Sequence, residues 1–276
     1  MQTRKRTIIF GIACAAIAAL TSNTHADNTL SYARLGEDGK TGEAQKMMIK
    51  GNKVRVDVPG GKNAMIFDAE ADTIFVLELD QKKYMEMDPE MFSKLTAGIS
   101  AMQAQLQAKL ASLPEAQRAQ MEAMMSKLGQ GMLDGGKTPE IEHVETGRKE
   151  KVGDYDAEVV EVTEDGVKTA VYYVVGRENL DVGEAEYAVL QKFQGFMEKM
   201  TKSLPGGLKQ KMKLQGLMAK QNRLPVRVDE VEGQAVTQSN QLVGVSKETL
   251  AAELFEVPAD FQKREMPLGP GGIPGQ

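Results

Sequence analysis

From Lys53 to Val58 the chain alternates strictly, with Val54, Val56 and Val58 on one side of an extended backbone and Lys53, Arg55 and Asp57 on the other. A period of two sets one face on a core and the other in water, a pattern that a helix of period 3.6 cannot satisfy. Five further runs of β-type composition surround it, at residues 29–34, 43–50, 64–67, 73–79 and 83–87. Turn chemistry separates them: Gly51-Asn52 is a two-residue hairpin connection and Gly60-Gly61 marks the next reversal. The first third of the chain is therefore an antiparallel meander. Met65-Ile66-Phe67 and Ile74-Phe75-Val76-Leu77 are apolar on both faces and need cover on both sides. Together with Tyr172–Val175 they are expected at the centre of the sheet, because edge strands so apolar invite aggregation.

From Pro89 the period becomes helical, with Phe92, Leu95, Ile99, Met102, Leu106, Leu110 and Leu113 recurring at three and four. Ser112-Leu113-Pro114-Glu115 reads as a fresh start, with Ser112 as N-cap and Glu115 closing a capping box, and Met121, Met124, Met125 and Leu128 carry the stripe onward. A glycine-rich loop, 129–139, ends this block. Strands follow at 140–146, 157–163 and 168–175, with Glu164-Asp165-Gly166 as a hairpin turn. A second helical block spans 184–220, broken at Pro205-Gly206-Gly207, and its stripe is Leu190, Phe193, Met197, Met200 and Leu204. Strands return at 225–231 and 235–243, and a short turn of helix lies near 247–253. The ordered part is expected to end near Phe261, with a Gly/Pro tail at 267–276.

This order predicts an α+β fold: a single curved antiparallel sheet, a half-barrel of about 11 strands, with helical blocks 90–128 and 184–220 across its concave face. One domain, 27–266, lies within the size range of a single core.

The residues before it read differently. Arg4, Lys5 and Arg6 precede an apolar run from Ile8 to Leu20, and Thr24-His25-Ala26 is a small-residue cleavage site, so 1–26 is a secretory signal peptide and the product is periplasmic or secreted. A rival reading makes Cys14 a lipidation site, but the apolar run continues past it and Gly11 stands three residues before it. Cleavage after Ala26 takes three basic residues away and leaves 31 Lys and Arg against 39 Asp and Glu. An acidic chain is a poor match to nucleic acid. The processed chain holds no cysteine and one histidine, His143, which excludes disulfides, thiol nucleophiles and cysteine or multi-histidine metal sites.

Chemical motifs are sparse. His143 sits within the strand pattern Ile141-Glu142-His143-Val144, and no G-x-S-x-G elbow, phosphate loop or dinucleotide fingerprint occurs, so no catalytic residue is assigned and no cofactor is expected. The carboxylates Asp154, Asp156, Glu158 and Glu161 are spaced as a solvated strand face. Sixteen methionines survive processing. Thioethers at Met47-Met48, at Met85, Met87 and Met91, and at Met121, Met124 and Met125 are of the type that binds Cu(I). Met65, Met102, Met197, Met200 and Met218 instead fall on stripes with Leu, Ile and Phe, as core packing or an adaptable apolar pocket requires.

Several segments carry a resemblance. Lys53-Val54-Arg55-Val56-Asp57, Met65-Ile66-Phe67-Asp68, Thr73-Ile74-Phe75-Val76-Leu77 and Lys82-Lys83-Tyr84-Met85-Glu86-Met87 resemble a family of exported bacterial proteins of unknown function. Val152-Gly153-Asp154-Tyr155-Asp156-Ala157 and Leu254-Phe255-Glu256-Val257-Pro258 are similar to later segments of that family. The family in turn resembles the periplasmic lipoprotein carriers LolA and LolB, which implies a half-barrel capped by helices over an apolar cavity that holds acyl chains.

Phe75, Leu77, Met85, Met87, Phe92 and Leu95 are accordingly expected to border a pocket for an apolar ligand, a lipid or an acyl chain. Residues 192–223 hold eight basic residues against the single acid Glu198. With Phe193, Met197, Met200, Leu204, Leu208 and Met212 on the apolar side, this block is a basic amphipathic element. Lys209, Lys211 and Lys213 are its expected contacts with an anionic membrane or an acidic partner. Three functions stand side by side at this stage: an acyl-chain or lipid carrier, an interaction or structural envelope protein with a filled core, and methionine-based copper binding.

Overall fold

The computed structural model of the chain describes residues 27–36, 38–114, 117, 140–203 and 221–264. In chain order the elements are β1 (Asp27–Leu35), β2 (Thr41–Lys50), β3 (Lys53–Asp57), β4 (Asn63–Asp68), β5 (Thr73–Glu78), β6 (Lys83–Met87), α1 (Pro89–Ala111), β7 (Ile141–Val152), β8 (Tyr155–Glu164), β9 (Val167–Gly176), α2 (Glu184–Ser203), β10 (Arg223–Glu232), β11 (Ala235–Glu248) and β12 (Gln262–Lys263). Short 3-10 turns stand at Arg177–Leu180 and Ala252–Phe255. All twelve strands form one open sheet in the order β12-β6-β5-β4-β3-β2-β1-β11-β10-β9-β8-β7. Neighbours are antiparallel except β12, which runs parallel to β6.

Two hairpin meanders, β1 to β6 and β7 to β11, are thus joined where β1 meets β11, pairing Asp27 with Glu248 and Leu35 with Ser239. Local chemistry sets the turns. Gly51 has φ +56, the left-handed conformation that the expected two-residue hairpin needs. After β4 the Asp68 carboxylate accepts the backbone N–H groups of Glu70 (2.9 Å) and Ala71 (3.1 Å), an Asx turn that starts the return into β5. α1 starts where Asp88 Oδ1 accepts the Met91 N–H at 2.6 Å, with Pro89 in the first turn where no N–H is missed.

The register assigns the faces. Val54 pairs with Phe67, Phe67 with Ile74 and Ile74 with Met87, so these side chains share one face, here termed inner because α2 packs on it. The inner core continues through Met47 and Ile49 to Leu30, Leu242, Leu224, Val226, Tyr173, Val159 and Ala157, a single cluster drawn from both meanders. On the outer face Ala64, Ile66 and Leu77 are covered by Val257 and Phe261, and Met48 by Leu250 and Phe255.

That cover corrects one expectation. β4 and β5 lie near one end of the sheet and β9 near the other, while the polar-rich β1 and β11 are central. β4, β5 and β9 are nonetheless interior strands paired on both sides, and the C-terminal segment covers the outer face of β4 and β5. Other differences are of extent. β7 runs on to Val152, because a bulge between Glu145 and Lys149, with Gly147 at φ +69, carries the pairing past a stretch whose composition reads as loop. β11 continues to Glu248, so the helical turn expected near 247–253 is instead the 3-10 turn Ala252–Phe255; β12 is unforeseen, and α1, Pro89–Ala111, starts one residue ahead of the expected 90–128. No helix among the described residues is long and apolar enough to cross a membrane.

Candidate functional site

α2 sits where its sequence requires. The Glu186 carboxylate accepts the Gly183 N–H at 2.7 Å, a carboxylate three residues in reaching back to the helix start. It also accepts from the Asn28 amide at 2.6 Å, and Asn28 donates to the Asp181 carbonyl at 3.1 Å, which ties the helix start to the first residues of β1. From there the stripe Leu190, Phe193, Met197, Met200 lies buried on the inner face, joined by Phe196. Phe67 is the hub, its ring 5.3 Å from Phe193 and 5.7 Å from Phe196.

Between this helix and the start of α1 opens a cleft of about 150 Å³ lined by Asp72, Pro89, Phe196, Lys199 and Met200. Its walls are Pro, Phe and Met, and its charged groups are Asp72 and Lys199.

The expected pocket residues do not converge. Leu77 pairs with Tyr84 and Val76 with Met85, so Phe75 and Leu77 point to the outer face while Met85 and Met87 belong to the inner one. Phe75 packs with Tyr84 (ring centroids 6.3 Å apart) and Leu77 is fully buried beside Ala64 and Ile66, both under the C-terminal segment. Alternation along a strand forbids the grouping: with β5 and β6 antiparallel, residues 75 and 77 share a face with 84 and 86, not with 85 and 87. Met87 packs against the inner core. Phe92 and Leu95 are in α1. Their side chains, and Lys209, Lys211 and Lys213, lie outside what the structure describes. Of the residues that line the cleft, Met200 stood on the expected stripe, while Asp72, Pro89, Phe196 and Lys199 were not singled out.

A second cavity, about 440 Å³ and polar, lies at the ends of β8 to β10, with Lys149, Asp156, Glu158, Glu178, Asn222 and Arg223 among its walls. Arg223 donates to the carboxylates of Glu145 and Glu158 and to the Gln221 side-chain oxygen. Its hydrogen bond with Glu145 raises the guanidinium above its ordinary value and lowers the Glu145 carboxyl. On the inner face Asp229, buried, accepts two hydrogen bonds from Arg227 (2.7 and 2.8 Å) and one from Ser239 (2.6 Å), and the guanidinium stands 5.1 Å from the Tyr173 ring centroid. The Arg227–Asp229 pair balances its charge one to one, whereas Arg223 faces two carboxylates. Tyr172 is pushed up to about 12, chiefly by burial. Among the described residues no cluster of three His, Cys, Asp or Glu is placed to hold a metal.

No family model and no curated protein matches the chain. Among solved structures it is similar to an uncharacterized conserved protein from Thermus thermophilus, at 9% identity and TM-score 0.38, over 88% of this chain and 91% of that one. It is also similar to PNGF-II, seen in two crystal forms, at 7% identity and TM-score 0.38 and at 8% and 0.35; it covers 31% and 29% of those chains.

Proposed function

We propose that the chain is an exported, non-enzymatic binding protein that takes an apolar chain, lipid or acyl group at the inner-face cleft between α1 and α2. The observation that carries this reading is the cleft itself: Pro89, Phe196 and Met200 form an apolar mouth with Lys199 among its residues. The cleft admits the end of a chain as it stands. A longer insertion displaces the Met197 and Met200 side chains, whose unbranched thioethers repack readily. The cleft carries one charge of each sign, Lys199 and Asp72. Export is supported by the leader pattern at 1–26. The segments that resemble an exported family, itself similar to the lipoprotein carriers, point the same way.

Phe67 favours a second reading. With Phe193 and Phe196 against it, the inner face under α2 is filled, as a scaffold acting only through its surfaces requires. Solvent extraction of gently purified protein with mass spectrometry, together with uptake of a fluorescent fatty acid, separates the two. Binding that is weakened by Met200→Trp and Lys199→Glu supports the cleft; no lipid and no uptake leaves the scaffold. The basic block is proposed to meet anionic lipid. Flotation with anionic liposomes is then expected to exceed that with zwitterionic ones, to fall with salt, and to fall when Lys209, Lys211 and Lys213 become Gln.

A further inference from the structure

We propose that the polar cavity at the ends of β8 to β10 binds a small zwitterion of net positive charge, a free α-amino acid with a cationic side chain. The site is separate from the apolar cleft and does not rest on it, since the cleft beside α2 opens on the other face of the sheet.

The register builds the cavity. Glu158 pairs with Lys149 of β7 on one side and with Val174 of β9 on the other, and Arg223 of β10 pairs with Gly176. Val174 clusters with Val160 and Tyr172, apart from the inner core, while Leu224 and Val175 belong to that core, so this row faces outward. Gly176 makes the hollow. No side chain rises from its place in the row, and the Glu178 carboxylate folds back there, with Oε1 2.0 Å from where a Cβ would stand. The space is about 440 Å³, within the roughly 300–1,000 Å³ of small-molecule sites. Gln221 and Asn222, also in its walls, both hold left-handed backbone, φ 53 and 60, a conformation uncommon outside glycine that collects at ligand sites.

The walls select the guest. Arg223 is already engaged, with Glu145, Glu158 and Gln221 accepting its hydrogen bonds. The side chains of Asp156, Glu178, Lys149, Asn179 and Asn222 border the same space and, among the described residues, make no hydrogen bond or ion pair. Two open carboxylates match two cationic groups, and an ammonium with two amides offers donors to one carboxylate. Around the cavity the carboxylates of Glu145, Asp156, Glu158 and Glu178 outnumber Lys149 and Arg223, which favours a guest with positive charge in excess and opposes an acidic one. Among the described residues no aromatic ring lines the space to stack on a sugar or base, and no cluster of three His, Cys, Asp or Glu is placed for a metal. A basic amino acid carries the matching set: one α-carboxylate, one α-ammonium and one side-chain cation.

The test is isothermal titration calorimetry of the purified protein with L-arginine and L-lysine, beside agmatine, which lacks the carboxylate, and L-leucine, which lacks the second cation. Saturable binding of arginine or lysine is expected, at least about tenfold tighter than agmatine or leucine and weakening as salt rises. Gly176→Ala probes the hollow itself: at φ −57 the backbone accepts alanine, while the new Cβ displaces the Glu178 carboxylate. That variant and Asp156→Asn, on an exposed side chain, are expected to weaken arginine binding at least about tenfold and to leave the denaturant transition in place. Met200→Trp, in the apolar cleft, is expected to leave arginine binding unchanged. No saturable heat with arginine or lysine at millimolar concentration overturns the proposal. So does agmatine binding as tightly as arginine, which reports a charged rim only, or full binding to Gly176→Ala, which puts the ligand elsewhere. None of these outcomes bears on lipid or fatty-acid uptake, so the apolar reading stands or falls separately.

Discussion

Phe67 is 1% exposed and touches two rings of α2, so at this position the sheet and the helix share one side chain. Truncation leaves a cavity that the flanking strands cannot collapse into. We expect Phe67→Ala to cost about 3–5 kcal/mol in a denaturant titration. Asp68, its neighbour, acts on the turn instead. Burial alone would raise its carboxyl, but the N–H groups of Ala71 and Glu70 and the Lys53 ammonium at 3.4 Å outweigh that and hold it below its ordinary value. A carboxyl depressed in the folded state contributes stability above its unfolded pKa of about 3.9, and loses it as pH falls through the folded value. Asp68→Asn is therefore expected to be less stable than the parent by about 1 kcal/mol near neutrality, with the gap closing as pH falls below about 4. A gap that is constant with pH would assign the loss to shape rather than charge. The Phe67 position was legible in sequence, since alternation in β4 sets it opposite Ile66. The Asp229, Arg227 and Ser239 cluster was legible only in part: Arg227 and Asp229 share a face of β10 two residues apart, but Ser239 joins them across β10 and β11 in a register that local pattern leaves open.

At the scale of elements, the C-terminal segment has the largest consequence relative to its length. Leu250, Phe255, Val257 and Phe261 cover apolar side chains of β2, β4 and β5 on the outer face, and Arg55 donates to the Leu254 carbonyl at 2.7 Å. β12 then seals the edge of β6, flanked by ion pairs of Lys82 with Asp260, Lys263 with Glu86 and Arg264 with Glu78. Those pairs are exposed and contribute little each; the apolar contacts hold the segment. Phe255→Ala is expected to cost about 3 kcal/mol by chemical denaturation. Neutralising Lys82 and Lys263 together should change stability by less than about 1 kcal/mol in the same assay. A chain ending at Glu248 leaves the outer face of β4 and β5 bare, and light scattering is expected to report association. Sequence showed that these strands needed cover on both faces, but not what supplies it. Phe255 and Phe261 stand in a stretch without periodicity, and tertiary contact alone assigns them a partner. Only the second half of β7 eluded the sequence: past the expected strand at 140–146 the charged stretch is extended because the bulge at Gly147 restores its pairing with β8.

For the whole molecule, the joint between meanders decides how the chain folds. β1 pairs with β2 nearby and with β11 some two hundred residues away, and the inner core draws Leu30, Phe67, Val159, Leu224 and Leu242 into one cluster. Pairings so distant are closed late, because loop entropy is spent before the contacts reward it. The N-terminal meander meanwhile lacks Leu250 and Phe255 on its outer face and α2 on its inner one. We therefore expect a chain that starts at Asp27 and ends at Gly233, with ten of the twelve strands, to lack a cooperative unfolding transition, and its β1 and β2 amides to exchange without protection. Adding 234–264 should restore both in one step. The competing outcome is informative: if 27–114 alone shows protected amides and a sharp transition, the meanders are separate folding units, and the joint at β1 and β11 is a docking of two finished parts. The continuous inner core argues for the first result, since neither meander has the other's helix or strap to bury its apolar faces.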